Sequence, residues 1–350
     1  MDDLLTLTAL SIAAAGFFVG IVVGLTGMGG GALMTPALIF LGVGHTSAIV
    51  TADLTAAAIY KTGGAITHAR EGSPNLRLAA WLVAGSVPMA FVGPYLVDAL
   101  TDDPEQLEQT LKLCIGIALL FAASTYALRL YINLRRVRGG GVQPEENPRI
   151  RPVPTLLVGM LGGLLVGVTS VGSGSVIMIA LLMLYPGLSA VKLVGTDLVQ
   201  AVPLVLAAAI ANIAIHGLDW DLLIPLVIGS VPGTIIGSRI APRVPQSYIR
   251  RGIVVVLTMS GVALLFKAGL HPFGEGHETL EAIVVALVGV AMLVLVPVVW
   301  GLLRKQTGLP MFGAPTVAEL ERVPGDRRRR ATTPSPTAPR SGDPTSPDGT

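Results

Sequence analysis

Residues 24–31 read Gly-Leu-Thr-Gly-Met-Gly-Gly-Gly, and residues 167–174 read Gly-Val-Thr-Ser-Val-Gly-Ser-Gly. Gly24, Thr26, Gly29 and Gly31 thus match Gly167, Thr169, Gly172 and Gly174 at a constant offset of 143. Each stretch closes a long apolar segment and opens a short one, 32–43 in the first half and 175–186 in the second. Outward from these stretches the offset becomes 144. It aligns Asp53-Leu54 with Asp197-Leu198, Gly85-Ser86-Val87-Pro88 with Gly229-Ser230-Val231-Pro232, and Gly93 with Gly237. Identities held at fixed spacing across so long a stretch mark an internal repeat.

The surrounding composition places that repeat in a bilayer. Of 350 residues, 52% are apolar and 13% charged, with a mean hydropathy of +0.70. Soluble domains carry about twice that share of charge. The glycines and prolines follow no collagen period, and the single Cys114 cannot form an intrachain disulfide. Nine apolar segments approach the ~20 residues that cross hydrocarbon: about 4–25, 46–68, 77–97, 109–134, 153–169, 190–215, 221–242, 251–268 and 280–303. The two short segments, 32–43 and 175–186, read as half-helices or re-entrant pieces. Asp2 and Asp3 stand where a secretory signal carries basic residues, so the first segment reads as a retained span.

Loop charges set an orientation, because Lys and Arg collect on the cytoplasmic side. Arg70 and Arg77 flank one loop, Arg135, Arg136, Arg138, Arg149 and Arg151 fill the central linker, and Arg243, Arg250 and Arg251 mark a third. The alternate loops hold Asp98, Asp102, Asp103, Glu105 and Glu108; Asp219 and Asp221; and Glu275, Glu278 and Glu281, with no Lys or Arg. The acidic loop of one half corresponds to the basic loop of the other, so the halves are expected to be inverted in the membrane. The expected fold is therefore an all-α membrane protein, a polytopic helical bundle of two inverted-topology repeats with broken half-helices and one further C-terminal helix.

The expected organisation is a first repeat over 1–134, a cytoplasmic linker over 135–152, a second repeat over 153–268, an additional helix over 280–303 and a disordered cytoplasmic tail over 304–350. Residues 1–303 carry net charge −1 and the tail +3. The expected location is the cell membrane, multi-pass, with the tail cytoplasmic and the N-terminus outside.

Inverted repeats with broken helices meeting near the midplane are the architecture of alternating-access transporters; duplicated scaffolds also occur in membrane-embedded enzymes and channels. A Gly-rich stretch before a half-helix presents backbone N–H groups at a positive dipole end, which suits an oxyanion. The candidate substrate-binding residues are Thr26, Gly29, Gly30 and Gly31, with Thr169, Ser170, Gly172, Ser173, Gly174 and Ser175. The alternative is that these small residues only let helices pack closely.

Asp53 and Asp197 fall deep in matched segments. A carboxylate at such depth costs on the order of 3 kcal/mol on insertion scales and is a functional candidate. Each reads either as a site for H⁺ or Na⁺ coupling or as a structural acceptor for the neighbouring break. Gln200 shares the Asp197 helix face, Pro88 and Pro232 are candidate hinges or static kinks, and Lys61 reads as a residue that snorkels to the inner surface.

The paired Gly-rich stretches, each followed by a short apolar helix and then a helix with an early Asp, resemble the sulfite exporter TauE/SafE family of membrane permeases. The resemblance covers about residues 8–268 and leaves out the helix at 280–303 and the tail. It implies transport of a small anion: sulfite, an organosulfonate or a related compound. Enzymatic activity is not expected; the competing readings are an intramembrane hydrolase or phosphatase acting on a lipid-linked substrate, and a passive anion channel. Neither a His-Glu-x-x-His helix nor a phosphate-binding loop is present, so no cofactor or metal is expected. The four arginines at 327–330 are not a folded nucleic-acid module, so the expected partners are the anion, the bilayer and an H⁺ or Na⁺ coupling ion.

Overall fold

The computed structural model describes residues 2–26, 30–71, 74–101, 103–138, 148–172, 174–188, 190–244, 246–270, 272 and 277–306. Gly29, Ser173 and nearly all of the expected tail lie outside them. The described residues form helices: α1 (Asp2–Thr26), α2 (Gly31–Leu41), α3 (Thr46–Glu71), α4 (Leu76–Ala99), α5 (Pro104–Arg138), α6 (Pro152–Thr169), α7 (Val176–Leu184), α8 (Ala190–His216), α9 (Trp220–Ile240), α10 (Gln246–Lys267) and α11 (Glu278–Gln306), with a 3-10 turn at Ala241–Arg243. No strand occurs among the described residues. The chain is an all-α, polytopic membrane protein.

Among the described residues, seven helices are long and apolar enough to cross a bilayer on their own: α1, α4, α5, α6, α8, α9 and α11. The segments 46–68 and 251–268, expected as spans, fold as the long helices α3 and α10, and α3 carries the charged Asp53 and Lys61 well inside it. Their polar residues have a reason. Asp53 and Lys61 of α3 are buried against other helices, so α3 does not need a lipid-compatible surface on every face. α5 runs further than its expected segment, to 35 residues, about 52 Å at 1.5 Å per residue and longer than the hydrocarbon core. Large side chains such as Leu10, Phe18, Leu161, Ile228 and Leu293 are more than half exposed. In water such a surface would aggregate; in a bilayer it faces lipid of matching polarity.

The short segments fold as half-helices. α2 has 11 residues and α7 has nine, about 16 and 13 Å long, roughly half of the hydrocarbon thickness. α7 turns back along α6: Tyr185, just after α7, accepts a hydrogen bond from the Arg151 N–H at 2.9 Å and lies 2.6 Å from the Thr155 hydroxyl, both at the start of α6. The second break thus reverses the chain.

Helices from the two halves are paired with each other. α1 runs parallel to α9, and Gly16, Gly20 and Gly24 bring its backbone against Leu226, Ser230 and Thr234. α6 runs parallel to α4, and Gly159, Gly163 and Gly167 lie against Leu82, Ser86 and Ala90. Glycines four apart line one helix face and admit a neighbouring backbone at close range. The 143/144 offset carries α1 onto α6 and α9 onto α4, so the two pairs correspond to each other. A further tie orients α3: Glu108 of α5 accepts from the Thr46 N–H at 2.9 Å and the Thr46 hydroxyl at 2.6 Å, capping the helix start with an anion.

Candidate functional site

The two Gly-rich breaks meet. α2 begins at Gly31, whose Cα lies so close to Ser170 that a Cβ there would overlap the Ser170 carbonyl oxygen and hydroxyl. Ser170 ends α6 in the left-handed conformation, φ 59°, and donates its N–H to the Val166 carbonyl at 2.9 Å. Gly172 follows at φ 121°, a conformation that L side chains rarely adopt, and its carbonyl accepts from Val176 N–H at 3.1 Å as α7 starts. Gly174 sits in the turn that leads into α7.

Asp53 of α3 lies against this junction and is fully buried. Its Oδ2 accepts from the Ser170 hydroxyl at 2.9 Å and from the Thr35 hydroxyl of α2 at 2.6 Å. One carboxylate oxygen therefore binds a group from each half. Oδ1 of Asp53 makes no hydrogen bond among the described residues. Asp197 of α8 is 4% exposed and accepts from Gln200 Nε2 at 3.1 Å. Gln200 is itself fully buried, and its Oε1 has no hydrogen-bond partner among the described residues.

Several sequence-based assignments change. The Gly30 N–H was expected to face an anion; it donates to the Tyr60 hydroxyl at 3.0 Å, because α3 carries Tyr60 beneath the break. The Thr26 and Thr169 hydroxyls donate to their own helices, at the Val22 and Leu165 carbonyls, at 2.7 and 2.6 Å. Thr169 also accepts from the Val171 N–H at 3.1 Å, so it closes the end of α6. Ser175 is buried and its hydroxyl makes no hydrogen bond among the described residues.

Lys61 does not snorkel. It is 7% exposed and interacts electrostatically with Asp197 and with Asp53. Its side chain is enclosed because α3 packs against α8. The signal was present in the sequence: Lys61 stands nine residues before Arg70, about 13 Å along the helix and beyond the reach of a lysine side chain. Thr35 and Tyr60 gave no such signal, since a Thr or Tyr in an apolar segment is ordinary and only tertiary packing brings these two to the break.

Pro88 and Pro232 occupy matching places inside α4 and α9, and both helices continue through them. Each removes one helix hydrogen bond. The neighbouring Ser86 and Ser230 are fully buried where glycines of α6 and α1 approach.

The chain has counterparts by sequence. The family model for "Sulfite exporter TauE/SafE" matches residues 12–264. The chain belongs to the sulfite exporter TauE/SafE family. A similar protein is "Probable membrane transporter protein YjnA" of Bacillus subtilis (strain 168), 37% identical over 262 residues, which are 73% of this chain and all of that protein. Another is "Probable membrane transporter protein YdhB" of the same organism, 26% identical over 251 residues, 71% of this chain and 97% of that protein. No solved structure gives a significant match. This TauE/SafE chain is a multi-pass membrane transporter, and α11 lies beyond the region matched by the family model.

Proposed function

We propose that this TauE/SafE protein moves a small anion, sulfite, an organosulfonate or a related sulfur-containing compound, by alternating access, through a site at the junction of the two breaks. The observation that carries the proposal is the contact of Gly31 with Ser170, which brings the start of the half-helix α2 against the end of α6, where the break that leads into the half-helix α7 of the other half begins. Helix starts concentrate partial positive charge equivalent to roughly half an elementary charge each, which favours an anion. Thr26, Gly29, Gly30 and Gly31 would surround it from one side and Thr169, Ser170, Gly172, Ser173, Gly174 and Ser175 from the other, some through backbone shape rather than through free hydroxyls.

In this reading residues 1–134 and 153–268 are inverted repeats joined by a cytoplasmic linker, with the N-terminus outside and the tail inside. The correspondence of the α1·α9 and α6·α4 pairs supports it, as do the alternating loop charges. The glycine-lined pairs would move as units while the central contacts exchange, with Pro88 and Pro232 as bending points. Asp53 and Asp197 would carry an H⁺ or Na⁺, or hold the breaks in position.

The test is uptake of labelled sulfite or sulfoacetate into liposomes containing the purified protein, with H⁺ and Na⁺ gradients imposed separately. A gradient-driven flux is expected, and Gly31→Leu should abolish it while Gly252→Leu, at a helical position with no neighbour within 4 Å of a Cβ, keeps folded protein in the membrane as a check on handling. Equal flux in the Gly31→Leu protein would remove the proposed site.

A further inference from the structure

We propose that Lys61 is the countercharge of the transported anion, held between Asp197 and Asp53 until an oxyanion takes a place at its ammonium group; this rests on the anion-transport reading above. Several donors at the breaks are already engaged. Tyr60 occupies the Gly30 N–H, and the Thr26 and Thr169 hydroxyl protons serve carbonyls of their own helices. An anion drawn out of water needs either several donors or a full positive charge.

Lys61 supplies that charge at the required place. It is 7% exposed on α3, which packs against α8, the helix of Asp197; its chain neighbour Tyr60 reaches Gly30, and Asp53 rests on the Gly31–Ser170 junction. Neither carboxylate depends on Lys61 alone: Asp53 has the Thr35 and Ser170 hydroxyls and Asp197 has the Gln200 amide. Both therefore keep a hydrogen-bond donor when an incoming oxygen draws the ammonium group toward itself. The repeat offset places Val205 opposite Lys61. The second half has no cation at the matching position, so a single such countercharge is expected per chain, and Lys61 would link α3 of one half to α8 of the other as the anion arrives.

Purified full-length protein in detergent, titrated calorimetrically with sulfite and with sulfoacetate, tests this. The wild type should bind one anion per chain, and Lys61→Arg should stay within about tenfold of it. Asp197→Asn, which removes a competitor for the ammonium, should bind more tightly. The double variant K61Q/D197N removes one charge of each sign and leaves the cluster's net charge unchanged; it should fold and bind about tenfold or more weakly, a change of at least one decade in affinity. Wild-type affinity in K61Q/D197N, or unchanged or weaker binding in Asp197→Asn, overturns the proposal and makes Lys61 a structural partner of the carboxylates. Wild-type protein that binds neither anion defeats the anion reading itself, a result distinct from the other two.

Discussion

The hydroxyl of Ser170 donates to Asp53 at 2.9 Å across 117 residues of chain and joins the second break to a helix of the first half. Thr35 donates to the same oxygen at 2.6 Å. A fully buried carboxylate so placed is costly to strip of donors, and its two hydroxyl bonds act as one unit. Ser170→Ala should lower stability by about 1.5–3 kcal/mol, the range for a hydrogen bond to a charged group. Thr35→Val should cost a similar amount. A double-mutant cycle on unfolding in detergent should show non-additivity, because the two donors share an acceptor. Additive losses would mean that the two hydroxyls act independently.

Tyr60 and Gly30 give a paired prediction. A Cβ at Gly30 would overlap the Tyr60 hydroxyl, which sits at the far end of a side chain. Gly30→Ala should lower the melting temperature. Tyr60→Phe in that background removes the obstructing oxygen, so the double variant should regain part of the loss although the Gly30 N–H has lost its acceptor. A double variant less stable than Gly30→Ala alone would show that the hydrogen bond outweighs the steric relief.

The close helix seams predict opposite signs for identical substitutions. A Cβ at Gly20 would stand 2.6 Å from the Ser230 carbonyl oxygen, with backbone rather than a flexible side chain in the way. Gly20→Ala should therefore force α1 and α9 apart and destabilise by about 1–3 kcal/mol, the usual range for overpacking. Gly252 of α10 has nothing within 4 Å of such a Cβ. Gly252→Ala should stabilise by roughly 0.5–1 kcal/mol through helix propensity. Thermal unfolding of the two variants side by side checks the contrast.

α11 is an addition to the transporter bundle rather than a part of its centre. It packs on α10 and α5, with Arg251 of α10 lying 5.1 Å from the centre of the Trp300 ring. Only 6% of its most apolar stretch is buried. A chain ending at Leu270 should remain inserted and keep anion flux in liposomes, with a lower melting temperature. Loss of flux with a folded, inserted product would give α11 a task in transport.

The sequence by itself determined the membrane class, the positions of the helices and the two short segments. These follow from local quantities: runs of apolar residues, breaks at Gly clusters, and the placement of charged loops. Asp53, Asp197 and Gly31 were legible as candidates because the repeat singled them out twice, and Ser170 because it stands inside the second Gly-rich stretch. Which groups meet was not legible. The Gly31–Ser170 contact, the Thr35 and Ser170 bonds to one oxygen of Asp53, and the burial of Lys61 depend on the approach of α2, α3, α6 and α8. Periodicity along one helix says which face is apolar but not which helix covers it. That choice is made by close packing of glycine-lined backbones from the two halves, and only the tertiary structure decides it.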